Sequence, residues 1–175
     1  MPYPVLPYMS SRGCYWGKCT FCTHSFIYDS HYRKENEARV AEELDHLSKR
    51  YKTKYFTFSD EAISPNAFNR MSTEILKRGV DMRALGMLKF ESSEKESPEL
   101  FDDIYRAGFL MLFFGLESAN DRILSIIDKG CDQETERAVL RHSSEAGIWN
   151  HLYLFFGFPT EERAEAEDTI QFTIE

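Results

Sequence analysis

The sequence predicts an α/β fold of repeated βα units around a parallel sheet, and three observations carry that expectation. Short runs of aromatic and aliphatic residues alternate with longer amphipathic stretches along the 175 residues. Glycine recurs where an amphipathic stretch ends and the next apolar run begins, at Arg78-Gly79, Ala107-Gly108 and Ala146-Gly147. Polar and charged residues gather directly after the apolar runs. Runs with little polar interruption suit parallel strands covered on both faces. The same glycine punctuation used three times implies one repeated unit.

In chain order, the first strand is expected near 5–9, leading straight into a cysteine-rich loop. A helical stripe follows, with Val40, Leu44, Leu47 and Tyr51 at the spacing of one helix face. The second strand, near 53–59, holds Tyr55-Phe56-Thr57-Phe58. Ser64-Pro65 then opens a helix, with serine as N-cap and proline suited to the first turn. Leu85-Gly86-Met87-Leu88 marks the third strand, near 83–88, and Ser97-Pro98 opens the next helix in the same way. The fourth strand, near 109–116, contains Leu110-Met111-Leu112-Phe113-Phe114. The fifth, near 151–157, contains Leu152-Tyr153-Leu154-Phe155-Phe156. A last helix begins near Glu161 and carries Ile170, Phe172 and Ile174, which are expected to lack anything to pack against.

Right-handed crossovers between the parallel strands follow from chain chirality. Such a repeat closes into a barrel or stays open, and in both forms ligands bind beyond the carboxyl ends of the strands. That is where polar residues cluster here. Asp60 and Glu61 follow the second strand, Lys89 and Glu91 the third, Glu117 and Ser118 the fourth, and Thr160 and Glu161 the fifth. Their expected convergence on one rim describes an active site.

Composition narrows the class further. Apolar residues make up 42% and charged residues 29%, a soluble globular balance. No apolar run approaches the ~20 residues of a membrane helix. The first residues lack the basic and apolar stretches of a signal peptide, so cytoplasmic residence is the expectation. A net charge of −8 argues against wholesale binding to a nucleic-acid backbone. Of four cysteines, Cys14, Cys19 and Cys22 are crowded together, a pattern of metal or redox chemistry, whereas Cys131 stands alone as an ordinary thiol.

The segment Ser11-Arg12-Gly13-Cys14-Tyr15-Trp16-Gly17-Lys18-Cys19-Thr20-Phe21-Cys22 carries the chemistry. Iron–sulfur cubanes usually take four thiolates, one per iron. Three cysteines on one loop leave one iron without a protein ligand, and an open position is what separates a catalytic metal centre from a structural one. Gly13 and Gly17 let the backbone wrap closely round a compact inorganic body. Zinc is the competing reading, with His24 as fourth ligand to Cys14, Cys19 and Cys22. His24 lies only two residues beyond Cys22, and no second cysteine pair follows. The CxxC of Cys19 and Cys22 is also compatible with thiol–disulfide exchange.

A three-cysteine loop after the first strand of a βα repeat, with Phe21 immediately before the last cysteine, is similar to the signature of radical S-adenosylmethionine (SAM) enzymes. The resemblance continues in order through Phe58-Ser59-Asp60-Glu61, Phe114-Gly115-Leu116-Glu117-Ser118 and Phe156-Gly157-Phe158-Pro159. It is closest to the branch that often carries a cobalamin-binding domain. Two departures are present: four residues separate Cys14 from Cys19 where three are commonest, and Ala119 stands where glycine is frequent.

The resemblance implies a partial (β/α)6 barrel, an incomplete TIM-like barrel of parallel strands with about five of the six βα units. It implies a [4Fe–4S] cluster on Cys14, Cys19 and Cys22, with SAM on the open iron. Phe21 is expected against the adenine, Asp60 or Glu61 at the amino group, Lys89 at the carboxylate, and Glu117 with Ser118 at the ribose or methionine portion. Reductive cleavage of SAM to a 5′-deoxyadenosyl radical is the implied chemistry, with cobalamin-dependent methyl transfer as one outcome, cobalamin being held by a domain outside this chain. An inactive cluster-binding scaffold is the non-enzymatic alternative. The partners implied are an electron donor such as flavodoxin or ferredoxin, flanking domains of a parent protein, and a small-molecule, peptide, lipid or RNA substrate. Residues 1–175 are accordingly expected to be a radical SAM core cut from a longer protein and truncated at the C-terminal end, with an exposed edge where a sixth strand belongs.

Overall fold

The computed structural model describes residues 3–27, 31–92 and 94–175. Its elements, in chain order, are strand β1 (Val5–Tyr8), strand β2 (Ser11–Arg12), helix α1 (His24–Ile27), strand β3 (Arg33–Lys34) and helix α2 (Glu37–Tyr51). Strand β4 (Tyr55–Phe58), helix α3 (Pro65–Arg78), strand β5 (Arg83–Leu88) and helix α4 (Pro98–Arg106) follow. The chain ends in strand β6 (Phe109–Glu117), helices α5 (Asp121–Ile126) and α6 (Gln133–Glu145), strand β7 (Trp149–Leu154) and helix α7 (Arg163–Ile174).

The main sheet has five parallel strands in the order β1-β4-β5-β6-β7, which is also their sequence order. Right-handed connections between strands laid down in that order put every crossover helix on the same face. The burial pattern records it: Ala84, Gly86 and Leu88 of β5 are buried, whereas the intervening Leu85 and Met87 are only half-buried. The sequence-based expectation of strands covered on both faces is therefore corrected. Only the helix-facing side is fully covered, and the other side is the concave interior of a partial barrel. Phe56, Phe68, Phe90, Phe101, Phe109 and Phe114 fill the covered side. Burial of such rings stabilises by roughly 1.5–3 kcal/mol each.

Local chemistry sets the helix ends as expected. The Ser64 and Ser97 side chains accept from the N–H groups of Ala67 and Leu100, with Pro65 and Pro98 in the first turn. Gly79, Gly108 and Gly147 all take left-handed φ values. Gly108 has a second requirement, because a Cβ there would lie 2.2 Å from the Met82 carbonyl oxygen.

Other details differ from expectation. The short antiparallel pair of β2 and β3 brackets the cysteine segment, with Ser11 opposite Lys34 and Arg12 opposite Arg33. Helix α5 follows β6 and forms a small core of its own from Ile123, Leu124 and Ile127, against Phe155 and Phe158. Strand β7 ends at Leu154, and the next residue, Phe155, still donates its N–H to the Glu117 carbonyl while its ring joins that small core. Phe172 is buried in the main core, contrary to expectation, whereas Ile170 and Ile174 are exposed. Among the described residues, no helix is long and apolar enough to cross a membrane.

Candidate functional site

The cysteine loop is anchored at its start by the two carboxylates that follow β4. Asp60 lies beneath the loop, 2% exposed, and accepts from the Ser10 N–H (3.1 Å), the Ser10 hydroxyl (2.7 Å) and the Ser11 hydroxyl (2.6 Å). Glu61 accepts from the Gly13 N–H with Oε2 at 3.0 Å. Charge-assisted bonds of this kind are the strong ones, so the entry to the loop is firmly set. Farther along, the Thr20 N–H donates to the Ile127 carbonyl at 3.0 Å and the Trp16 indole N–H to the Asp128 carbonyl at 2.7 Å.

Past the carboxyl ends of the strands, the loop closes over a cavity of about 250 Å³. All three thiols of the loop line it, together with Phe21, Glu61, Lys89, Glu117 and Lys129. Each main strand after β1 thus contributes through its carboxyl end, with Met87 from β5 and Tyr153 from β7 completing the wall. The rim that polar strand ends suggested is present, but not every expected member is on it. Asp60 is turned away, so of the two carboxylates expected at the cofactor amino group only Glu61 reaches the cavity. Ser118 is fully buried elsewhere, within 3.1 Å of the Thr169 hydroxyl and accepting from the Asn120 N–H. It ties β6 to α7 and does not line the cavity. Thr160 is likewise engaged with Arg122.

Lys129 joins the cavity wall although no sequence pattern marks it. It lies in an irregular loop between α5 and α6, where no strand end flags it, yet its Nζ is 3.1 Å from Glu117 Oε1. Glu117 takes a left-handed φ of 66° at the end of β6. Lys89 is 5% exposed and donates to the Phe90 carbonyl at 2.5 Å. No carboxylate lies within 4.0 Å of it among the described residues. Burial pushes its pKa down. Burial pushes the Cys19 thiol up, while Lys129 and Lys89 pull it down.

The donor set distinguishes the metal readings. Among the described residues, no three His, Cys, Asp or Glu side chains stand close enough to share a single ion, although His24 also lines the cavity. A mononuclear zinc site needs that convergence. An iron–sulfur cube gives each iron its own thiolate, so it fits three thiols spread around one cavity. Its net negative charge also suits two buried ammonium groups on the same wall.

Comparison with known proteins agrees. The family model described as the radical SAM superfamily matches residues 8–173. An uncharacterized methyltransferase of Pyrococcus horikoshii is 29% identical over 174 residues, covering 98% of this chain and 37% of that protein. The bacteriochlorophyllide d C-12(1)-methyltransferase of Chlorobaculum tepidum is 27% identical over 176 residues, covering 98% of this chain and 38% of that protein. The chain therefore spans less than two-fifths of the length of these relatives. Among solved structures, the cobalamin-dependent SAM radical enzyme OxsB superposes with a TM-score of 0.81 at 19% identity, covering 96% of this chain and 26% of that one. The Escherichia coli coproporphyrinogen III oxidase HemN does so at 0.62 and 16%, covering 99% and 42%. With a family match over nearly its whole length and three thiols of one loop around one strand-end cavity, the chain belongs to the radical SAM superfamily, whose enzymes work with a [4Fe–4S] cluster and SAM.

Proposed function

We propose that this chain is the catalytic core of a cobalamin-associated radical SAM methyltransferase, with Cys14, Cys19 and Cys22 holding the cluster and the same cavity holding SAM. The placement of all three thiols around one cavity with Glu61, Lys89 and Glu117 carries this reading. When bound, the cluster supplies the single electron for reductive cleavage of SAM to a 5′-deoxyadenosyl radical, drawn from a donor such as flavodoxin or ferredoxin. The residues bind and orient. Glu61 uses Oε2 on the Gly13 N–H, which leaves Oε1 to accept from the SAM amino group. Lys89 keeps donors beyond the one on Phe90 for the carboxylate. Phe21, 37% exposed and set edge-on to Phe155 at 4.9 Å, offers a face to the adenine. Glu117, held by Lys129, would accept from the ribose hydroxyls.

Methyl transfer is favoured because two curated relatives are named methyltransferases and the solved neighbour OxsB is cobalamin-dependent. Cobalamin would be held by residues outside this chain. On the concave face, Phe113, His151 and Tyr153 stack or meet edge-on at 4.9–5.7 Å beside the cavity. They favour a flat, largely apolar small molecule as substrate. Residues outside the chain are also proposed to add a sixth strand beside β7. The reduced thiols of the loop suit the cytoplasm.

The test is anaerobic reconstitution of the full-length protein with iron and sulfide. About four irons per chain are expected, with a reduced-cluster electron paramagnetic resonance signal that changes on adding SAM, and 5′-deoxyadenosine as product. Cys19→Ala should abolish all of these. Colourless protein holding one tight zinc would overturn the reading.

A further inference from the structure

Trp16 occupies the stretch between Cys14 and Cys19, and it contacts both buried cations of the site, one directly and one through a turn. Lys89 Nζ lies over its ring, 4.4 Å from the centroid, and the more exposed Lys18 Nζ lies 4.6 Å from it. With one hydrogen bond to Phe90 and no carboxylate within 4.0 Å among the described residues, Lys89 rests its ammonium against the electron-rich indole face. On its other side the indole is keyed into the turn that carries Lys129. Its N–H donates to the Asp128 carbonyl at 2.7 Å, and Gly130 packs so closely that a Cβ there would lie 2.2 Å from Trp16 Cζ2. Asp128 and Gly130 both have left-handed φ values, of 51° and 75°, so the turn is shaped around the ring.

We infer that Trp16 is a positioning residue that holds Lys89 and Lys129 beside the cysteine cavity and, through them, raises the reduction potential of the cluster bound there. The inference rests on the cluster reading above. Reduction adds one negative charge to a body already held by three thiolates. A fixed cation in a water-poor site favours that added charge more than it would in bulk water, and net charge and exposure are among the features that set cluster potentials.

Redox titration of the reconstituted full-length protein, followed by electron paramagnetic resonance with iron and sulfide assayed in each sample, tests this. Lys89→Met should lower the ratio of reduced to oxidised cluster about tenfold at fixed applied potential, equivalent to about 59 mV for a one-electron couple. Trp16→Leu and Gly130→Ala should shift it in the same direction. Trp16→Phe, which keeps a ring face but loses the N–H donor, should shift it less. Combining Trp16→Leu with Lys89→Met should fall short of the sum of the two shifts. A purely structural role would cost iron without moving the potential of the cluster that remains. Unchanged potentials at full iron content in Trp16→Leu and Gly130→Ala overturn the inference, whereas wild-type protein that takes up no iron and sulfide overturns the underlying reading. A second readout needs no cluster. In protein labelled with 5-fluorotryptophan, the resonance removed by Trp16→Phe should move in Lys89→Met and in Gly130→Ala, and a resonance unmoved by both overturns the inference.

Discussion

Asp60 and Glu61 are neighbours of the same chemical type, yet the fold gives them opposite tasks. Asp60 gathers three donors from Ser10 and Ser11 beneath the loop, whereas Glu61 reaches the cavity. Asp60→Ala leaves those donors without their charged acceptor in a buried setting, where each such bond contributes about 1.5–3 kcal/mol and the terms do not add. A loss of about 3 kcal/mol in urea unfolding of the cluster-free protein is expected, with Asp60→Asn losing about half. Glu61→Gln should change stability by less than about 1 kcal/mol but weaken SAM binding in calorimetry. Deeper in the molecule, Glu136 is fully buried with Oε2 unpartnered, and burial pushes its carboxyl up to about 9. Glu96 is likewise fully buried with Oε1 unpartnered, and burial pushes it up to about 8. Both therefore hold protons in the folded protein that the unfolded chain releases near pH 4.5. Their contribution to stability is full below that pH and is lost as pH rises toward 8 to 9. Glu136→Gln mimics the protonated acid, so it should flatten the decline in stability between pH 5 and 9, measured by urea unfolding at a series of pH values. An unchanged slope would show that Glu136 is ionised in the native state.

At the scale of elements, two glycines that look alike in sequence separate backbone strain from collision. Gly79 ends α3 with a φ of 68° and open space where a Cβ would go. Gly108 precedes β6 with a φ of 107°, and a Cβ there would strike the Met82 carbonyl. Gly79→Ala should cost about 1–2 kcal/mol, the ordinary left-handed penalty. Gly108→Ala should cost upwards of about 3 kcal/mol, because the collision adds to the strain. Thermal unfolding of the two variants side by side checks the ordering. That both glycines were legible as helix ends, while their costs were not, marks how far sequence reading goes. Strands, proline-marked helix starts and glycine-marked helix ends are written in short local patterns, and the sheet follows sequence order because each unit repeats the last. What stayed hidden depends on distant partners. Helix α5 spans only Asp121–Ile126, too short to show a stripe. The pairing of β2 with β3 joins two residues on each side across a long loop. Ser118 follows a strand end as a site residue would, but its partner is Thr169, 51 positions away in sequence. Lys129 could have been found only by asking what neutralises Glu117.

At the scale of the whole molecule, five parallel strands in sequence order leave β1 and β7 as the outer strands of an unclosed sheet. A closed barrel would pair those two strands and remove both edges. Strand β7 is the more hazardous edge. Trp149 is 70% exposed and Tyr153 43% exposed along it, with Leu154 at 36%. An exposed apolar edge with unpaired backbone groups is a template for another strand, and a net charge of −8 opposes such pairing only weakly once salt screens it. The 175-residue chain should therefore self-associate through β7, with a weight-average mass that rises with concentration in sedimentation velocity. Placing charge on the strand is how natural sheets block such pairing, so Trp149→Lys combined with Leu154→Lys should hold the chain monomeric without disturbing the distant core. Neither residue lines the cluster cavity, so iron uptake by the double variant should match that of the unaltered chain. A chain that stays monomeric at every concentration would mean the edge is already protected and would remove the structural case for a sixth strand beside β7. If instead the full-length protein is monomeric while residues 1–175 associate, then the segments outside this chain cover that edge.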